Sequence, residues 1–152
     1  MAWTTPIADR TAADLVARNA KAFFNLADWT RVRNNTTEVR ALILSLLGVS
    51  ISAASLSTPT TSTVPAAADV NALIGDIETC RETAALPLSL APALEHDYVG
   101  GPSQIAPDYL DVNDWETVLL NIHGLLANAV DYSIPCGVAA AGQDRFYQNQ
   151  WR

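Results

Sequence analysis

From Asp28 onward the apolar-facing positions Trp29, Val32, Thr36, Val39, Ile43 and Leu46 advance by three, four, three, four and three residues. That spacing holds one narrow face of a helix toward a partner helix. Gly48 supplies a natural stop. The same steps return in Val70, Leu73, Ile77, Cys80 and Ala84, until Pro87 and Pro92 close the pattern, and again in Trp115, Val118, Ile122, Leu125 and Ala129. The pattern predicts an all-α protein, a small helical bundle with three similar heptad-spaced helices.

The three rows share more than their spacing. They begin at Asp28-Trp29, Asp69-Val70 and Asp114-Trp115, which lie 41 and 45 residues apart, within the range of helical repeats. Seven residues after each acid stands Asn35, Asp76 or Asn121. A polar side chain beside an apolar seam can fix helix register at some cost in stability. Convergence alone accounts for the seam but poorly for these recurring polar positions. The core expected from the rows is Trp29, Val32, Val39, Val70, Leu73, Ile77, Trp115, Val118, Ile122 and Leu125. Trp29 and Trp115 are its anchors, and each indole N–H needs an acceptor.

Around these rows the chain divides as a single helical domain over residues 1–152. Residues 1–10 form an N-terminal arm. Thr11-Ala12-Ala13-Asp14 fits a variant capping box, which predicts a short helix from there to about Phe24 and places the first two helices within 11–48. Residues 49–64, rich in Ser and Thr with Pro59, read as an extended connection. Its low charge argues against a freely solvated linker. The second main helix falls in 65–86. Pro92, Gly100-Gly101, Pro102 and Pro107 make 87–110 an irregular loop. The third main helix is expected over 111–131, with Asn113 as N-cap and Glu116 as its capping-box acid. Residues 132–152 form a C-terminal arm.

Composition narrows the possible functions. Only 16% of the residues are charged against about 25% in an average soluble domain, while 49% are apolar. So sparse a charge suggests that other chains cover part of the surface. A net charge of -7 without a Lys/Arg cluster disfavours direct nucleic-acid binding. The greasiest run, Ala41 to Leu56, is interrupted by Ser45, Gly48, Ser50, Ser52 and Ser55 and falls short of the roughly 20 residues of a membrane span. No basic stretch followed by an apolar one marks a signal peptide near Met1.

Candidate chemistry is thin. His96 and His123 stand in no recognised catalytic motif. Asp108, Asp111 and Asp114 recur every third residue but lack the glycine turn and terminal acid of a calcium loop. Glu95, Asp97 and Asp108 are the best carboxylates for acid/base work. Cys80 sits on a seam and Cys136 in Pro135-Cys136-Gly137, so neither has zinc or redox spacing, and their pairing is open. The expectation is no enzyme, no cofactor and no metal. A small hydrolase using the Glu95–Asp108 loop remains an alternative, as does a helical binding or chaperone module.

The string Trp3-Thr4-Thr5-Pro6-Ile7-Ala8-Asp9-Arg10-Thr11, with Asp14 and then Leu26-Ala27-Asp28-Trp29-Thr30-Arg31-Val32, resembles structural proteins of tailed bacteriophages of Gram-positive hosts. Those proteins pair a W-T-x-P-x-x-D-R-T opening with helices starting D-L-N-R-[IV]-E. Thr30 and Arg33 depart from that second pattern, whereas Asn71 restores its Asn in the second row. The ending Gln148 to Arg152 is also similar. The resemblance implies a virion structural subunit of the tail, baseplate or fibre-attachment region, made in the host cytoplasm. Its partners would be copies of itself and other virion proteins. The contacts are expected at Trp3, Pro6 and Arg10 in one arm and at Phe146, Tyr147, Trp151 and Arg152 in the other, since aromatic and arginine side chains dominate interface energetics.

Overall fold

A computed structural model describes residues 2–21, 24–60, 65–86, 89–90, 93–94, 97–101 and 106–142, with side chains of the last helix described up to residue 129. The protein is all-α. Its helices are α1 (Ala12–Ala17), α2 (Leu26–Leu47), α3 (Ala67–Thr83) and α4 (Tyr109–Gly142). The three long helices touch pairwise and enclose one core. Among the described residues there is no sheet, and no helix is long and apolar enough to cross a membrane.

Helix starts are set by local chemistry. Thr11 and Asp14 form the predicted capping box of α1. The same device opens α2, where Asn25 caps and Asp28 stands three residues inside. Asp69 takes that inner position in α3, although its N-cap, Ala66, offers no side-chain bond. At α4 the expectation of an Asn113 cap is corrected. Asp108 accepts from the Leu110 and Asp111 amides and Asp111 accepts from the Asp108 amide, so the helix begins one turn earlier, at Tyr109. Asp114 is therefore not a first-turn equivalent of Asp28 and Asp69, and Asn113 and Glu116 are released for other work.

Two helix ends also differ from expectation. Arg18 adopts a left-handed conformation (φ 50) and ends α1 at Ala17, well before Phe24. The turn brings Phe24 edge-on to Trp29 and Trp115, with ring centroids 6.3 and 5.7 Å away, so an aromatic that was expected to end a helix closes the core instead. Helix α4 does not stop near residue 131. Leu125 to Val130 contain neither Gly nor Pro, and the helix runs through Pro135 to Gly142.

The seam is buried as expected at Trp29, Val32, Val39, Val70, Leu73, Ile77, Trp115, Val118 and Ile122. Leu125 is the exception. It is 47% exposed, and Leu126 lies inside at 3%. At about 100° per residue, a position eleven after Trp115 returns to within about 20° of it, whereas one ten after is about 80° away. Helix α4 follows the straight-helix period and leaves the heptad. The Trp29 indole is also not as expected: its buried Nε1 has no hydrogen-bond acceptor among the described residues.

The path between helices decides the architecture. The chain from Trp3 to Arg10 meets α2 first at Asn35 and then at Asp28, and it meets α4 at His123, Glu116 and Asn113 in turn. It thus runs antiparallel to both. Residues 49–60 do the same against α3, with Ala54 at Asp76 and Ser57 at Asp69, while Arg40 and Arg33 of α2 stand at those two levels. Farther along, Leu90 meets α4 at Asn121 and Tyr98 meets it at Trp115, while Leu94 meets α3 at Glu78 and Tyr98 meets it at Asn71. Since every extended segment opposes both helices beside it, α2, α3 and α4 run parallel, with one extended segment in each of their three grooves.

Candidate functional site

The polar residues that recur beside the seam are the ties of these segments. Asn35 is fully buried, receives the Thr4 amide at 3.0 Å and donates to the Thr4 carbonyl at 2.7 Å. Asp76 accepts the Ala54 amide at 3.0 Å and pairs with Arg40 at 3.1 Å. Asn121 donates to the Leu90 carbonyl. Each thus holds the segment that precedes its own helix. Their position beside a seam suggested a role in fixing helix register; their bonds go to extended main chain instead. A fully buried amide is tolerable only with such partners, because an unmet donor or acceptor carries its whole desolvation cost.

A second set of ties faces the other way. Asn71 receives the Tyr98 amide at 3.2 Å and donates to its carbonyl at 3.0 Å, and Glu78 accepts from Leu94 at 2.9 Å. Displaced by the 45-residue repeat are Glu116, which accepts the Ile7 amide at 2.7 Å, and His123, which stacks on Trp3 at 3.8 Å. In both grooves contacts four residues apart in the segment fall seven residues apart on the helix. The repeat found in the sequence is therefore a repeat of segment plus helix.

The groove between α2 and α4 holds the densest chemistry. Arg10 is 3% exposed and reaches Asp28 at 3.0 Å and Glu116 at 3.1 Å; Arg31 approaches the same two carboxylates from its outer side. Asn113 brackets the Arg10 backbone, accepting from its amide at 3.1 Å and donating to its carbonyl at 2.9 Å. Two guanidinium groups thus balance two carboxylates away from water, the arrangement that makes buried charge tolerable. Burial opposes the charge on Arg31, but the hydrogen bonds it donates to Glu116 and Asp28 outweigh it and raise its pKa above the ordinary value.

Other titratable groups follow their surroundings. Burial lowers the pKa of His123 against the opposing effect of Glu38, favouring the neutral ring that lies flat on Trp3. Bonds from the Ser57 side chain and amide hold Asp69 below its ordinary value. Burial raises Asp114, helped by Asp111 and Asp108. Asp14 is lowered to about 2 by hydrogen bonds from Asn19 and Thr11. Cys80 is a free, buried thiol whose pKa burial pushes up to about 12, which makes it a packing group and a poor nucleophile.

No protein-family model, curated protein or solved structure matches this chain. The assignment of residues to roles therefore rests on the geometry. Arg10, expected on an interface, is an internal tie, corrected by its burial between Asp28 and Glu116. Trp3 and Pro6 are half-buried against the bundle. Phe146, Tyr147, Trp151 and Arg152 lie outside the described residues, as do Glu95 and His96. Of the remaining loop carboxylates Asp97 is exposed, and Asp108 is engaged in capping α4. Missed in the sequence were Arg31, Asn71, Glu78 and Glu116. The one available signal was Glu116 itself, an acid directly beside the anchor Trp115 in a chain so poor in charge.

At the other end of the arm's approach, Phe24, Val70, Tyr98, Val99 and Pro107 border a largely apolar cavity of about 280 Å³. It lies beside the start of α3 and contains no cluster of acid, base and nucleophile.

Proposed function

We propose that this protein is a non-enzymatic structural subunit of a tailed-bacteriophage particle, acting in the tail, baseplate or fibre-attachment region through contacts between subunits. The observation that carries the reading is the use made of the residues on which the resemblance stands. Trp3 stacks on His123, Thr4 is bracketed by Asn35, Arg10 joins Asp28, Thr11 and Asp14 cap α1, and Trp29 anchors the core. The motif encodes a way of laying an extended arm on a parallel bundle and assigns no residue to chemistry. Such a unit suits symmetric assembly, where extended segments and small helical blocks repeat around an axis.

Mass spectrometry of purified particles tests the proposal. The protein is expected at a fixed stoichiometry relative to other tail components; absence from particles overturns the reading. A second reading, a module that binds an apolar partner, is favoured by the cavity around Tyr98 and Phe24. It predicts a monomer that takes up an apolar ligand with loss of reactivity or fluorescence change at Tyr98, and no incorporation into particles.

A further inference from the structure

We infer that two adjoining cavities at the end of the bundle where α3 and α4 begin receive a short segment of a partner protein, one that offers two apolar side chains followed by lysine or arginine. The inference rests on the second reading above, that the cavity around Tyr98 and Phe24 is a binding site, and adds the chemistry of what enters it.

Shape gives the apolar part. The cavity of about 280 Å³ bordered by Val70, Tyr98 and Val99 has a neighbour of about 300 Å³ bordered by Arg10, Leu15, Tyr109 and Val112, and Phe24 and Pro107 belong to both. Each is many times the space that one water molecule needs. Val99 and Leu15 carry apolar surface to the outside, at 46% and 37% exposure. An extended peptide sets alternate side chains on one face about 7 Å apart, which suits neighbouring cavities that share a wall. Arg10 adds a polar contact: its buried Nε has no acceptor among the described residues, and a main-chain carbonyl of the segment supplies one. A neutral acceptor is what the site requires, because Asp28 and Glu116 already balance Arg10 and Arg31.

Charge gives the basic part. Asp108 borders the second cavity, and Asp108, Asp111 and Asp114 follow one another along the start of α4, over about 9 Å at about 1.5 Å per residue. Asp97 is exposed and immediately precedes Tyr98 of the first cavity. Among the described residues none of these four carboxylates takes part in an ion pair, whereas Asp9 and Asp14 are matched by Lys21. Capping uses only Oδ1 of Asp108 and Oδ2 of Asp111, which leaves the other oxygen of each for a partner. Burial raises the pKa of Asp114, and Asp111 and Asp108 raise it further, so the row repels itself as well as standing unbalanced. A row of that length exceeds the reach of about 4 Å of one ion pair and calls for several cations on one chain, which favours a peptide segment over a small organic cation.

Fluorescence anisotropy of labelled peptides with the full chain, followed to about 1 mM, is the test. The probes are Leu-Ser-Leu-Lys-Lys-Lys, the same peptide with glutamate in place of each lysine, and Ser-Ser-Ser-Lys-Lys-Lys. The first is expected to bind at least about tenfold more tightly than either of the others. Its binding should weaken as ionic strength rises from about 0.1 to about 1 M, which shortens the screening length from about 10 to about 3 Å. Ala67→Leu, which fills the first cavity, and Asp97→Asn combined with Asp114→Asn are each expected to weaken it at least about tenfold. Should Ala67→Leu not fold, Val99→Lys reads out the same cavity from an exposed position. A glutamate peptide that binds as well as the lysine one overturns the basic partner and leaves the apolar cavity standing as a site; a serine peptide that does so overturns the part given to the cavities. Failure of every peptide to bind sinks the inference and the apolar-partner reading together. Binding that Val99→Lys leaves unchanged lies elsewhere and overturns the site, and benzyltrimethylammonium binding as tightly as the first peptide assigns it to small cations instead.

Discussion

The groove between α2 and α4 and the groove between α2 and α3 hold similar extended segments by different means. Residues 49–60 are retained by Asp76 and Asp69 near the surface, through the Ala54 and Ser57 amides. The N-terminal arm is retained by a buried group of four charges, a fully buried amide and an aromatic stack. The first segment is bounded by two packed helices, so its ends are already brought together and its ties need only choose a path. The arm continues into α1, which has no buried residue, so ordering it costs backbone entropy that is met by its own contacts. The difference teaches that the density of polar ties tracks how little the rest of the fold constrains a segment.

The largest test of that comparison removes a charge from the arm's anchor. Glu116→Ala leaves Arg10 and Arg31 to share Asp28 and deprives the Ile7 amide of its acceptor. A loss of about 3–5 kcal/mol is expected, since breaking a buried ion pair strands a charge. Urea unfolding of wild type and variant measures it, and a loss below about 1 kcal/mol, the range of an exposed pair, contradicts the role given to the cluster.

The wall that α4 presents to both of its grooves depends on which leucine faces inward. Leu126→Ala is expected to cost about 2–4 kcal/mol and Leu125→Ala under about 1, because only the former leaves a cavity. Equal losses by thermal or chemical unfolding argue for the heptad register.

Asn35→Ala and Asp76→Ala compare the two grooves directly. The first leaves the Thr4 amide and carbonyl without their partner and is expected to cost about 1–2 kcal/mol, with loss of hydrogen-exchange protection at Thr4. The second removes an acceptor that is only partly buried, Asp76, from the Ala54 amide and is expected to cost less than loss of the fully buried Asn35. The reverse order by hydrogen exchange and unfolding removes the contrast between the grooves.

The smallest effect is pH-dependent. The folded pKa of His123 is depressed, so near pH 6 the unfolded chain binds more protons at this site than the folded one. Its contribution to stability is therefore full above the ordinary histidine value of about 6.5 and falls as pH drops from there toward the folded pKa. Melting temperatures at about pH 5 and 7.5, on either side of that value, should differ less in His123→Phe, which retains an aromatic face for Trp3, than in wild type. An unchanged difference assigns the dependence to other groups.

Much of the bundle was legible before its structure. Periods of three and four residues determined three helices and nine of the ten expected seam positions, because apolar burial imposes the same angular condition on any helix. The recurrence of Asn35, Asp76 and Asn121 was also written in the sequence, but its meaning was not. An amide beside a seam looks the same whether it meets another helix or an extended strand. Likewise, Asp114 copied the spacing of Asp28 and Asp69, yet Asp108 and Asp111 reached the helix start first and made the cap.

What the sequence by itself determined, then, was the set of helices, the faces they bury and the existence of a repeat, all consequences of local geometry and hydrophobic periodicity. Only the tertiary structure decided that the helices are parallel, that an extended segment fills each groove, and that Arg10 turns inward. Those features depend on pairings such as Ile7 with Glu116 and Arg10 with Asn113, made between residues more than a hundred positions apart. No local preference encodes such a pairing; it arises when the chain folds and buried main-chain groups and charges must each find a partner.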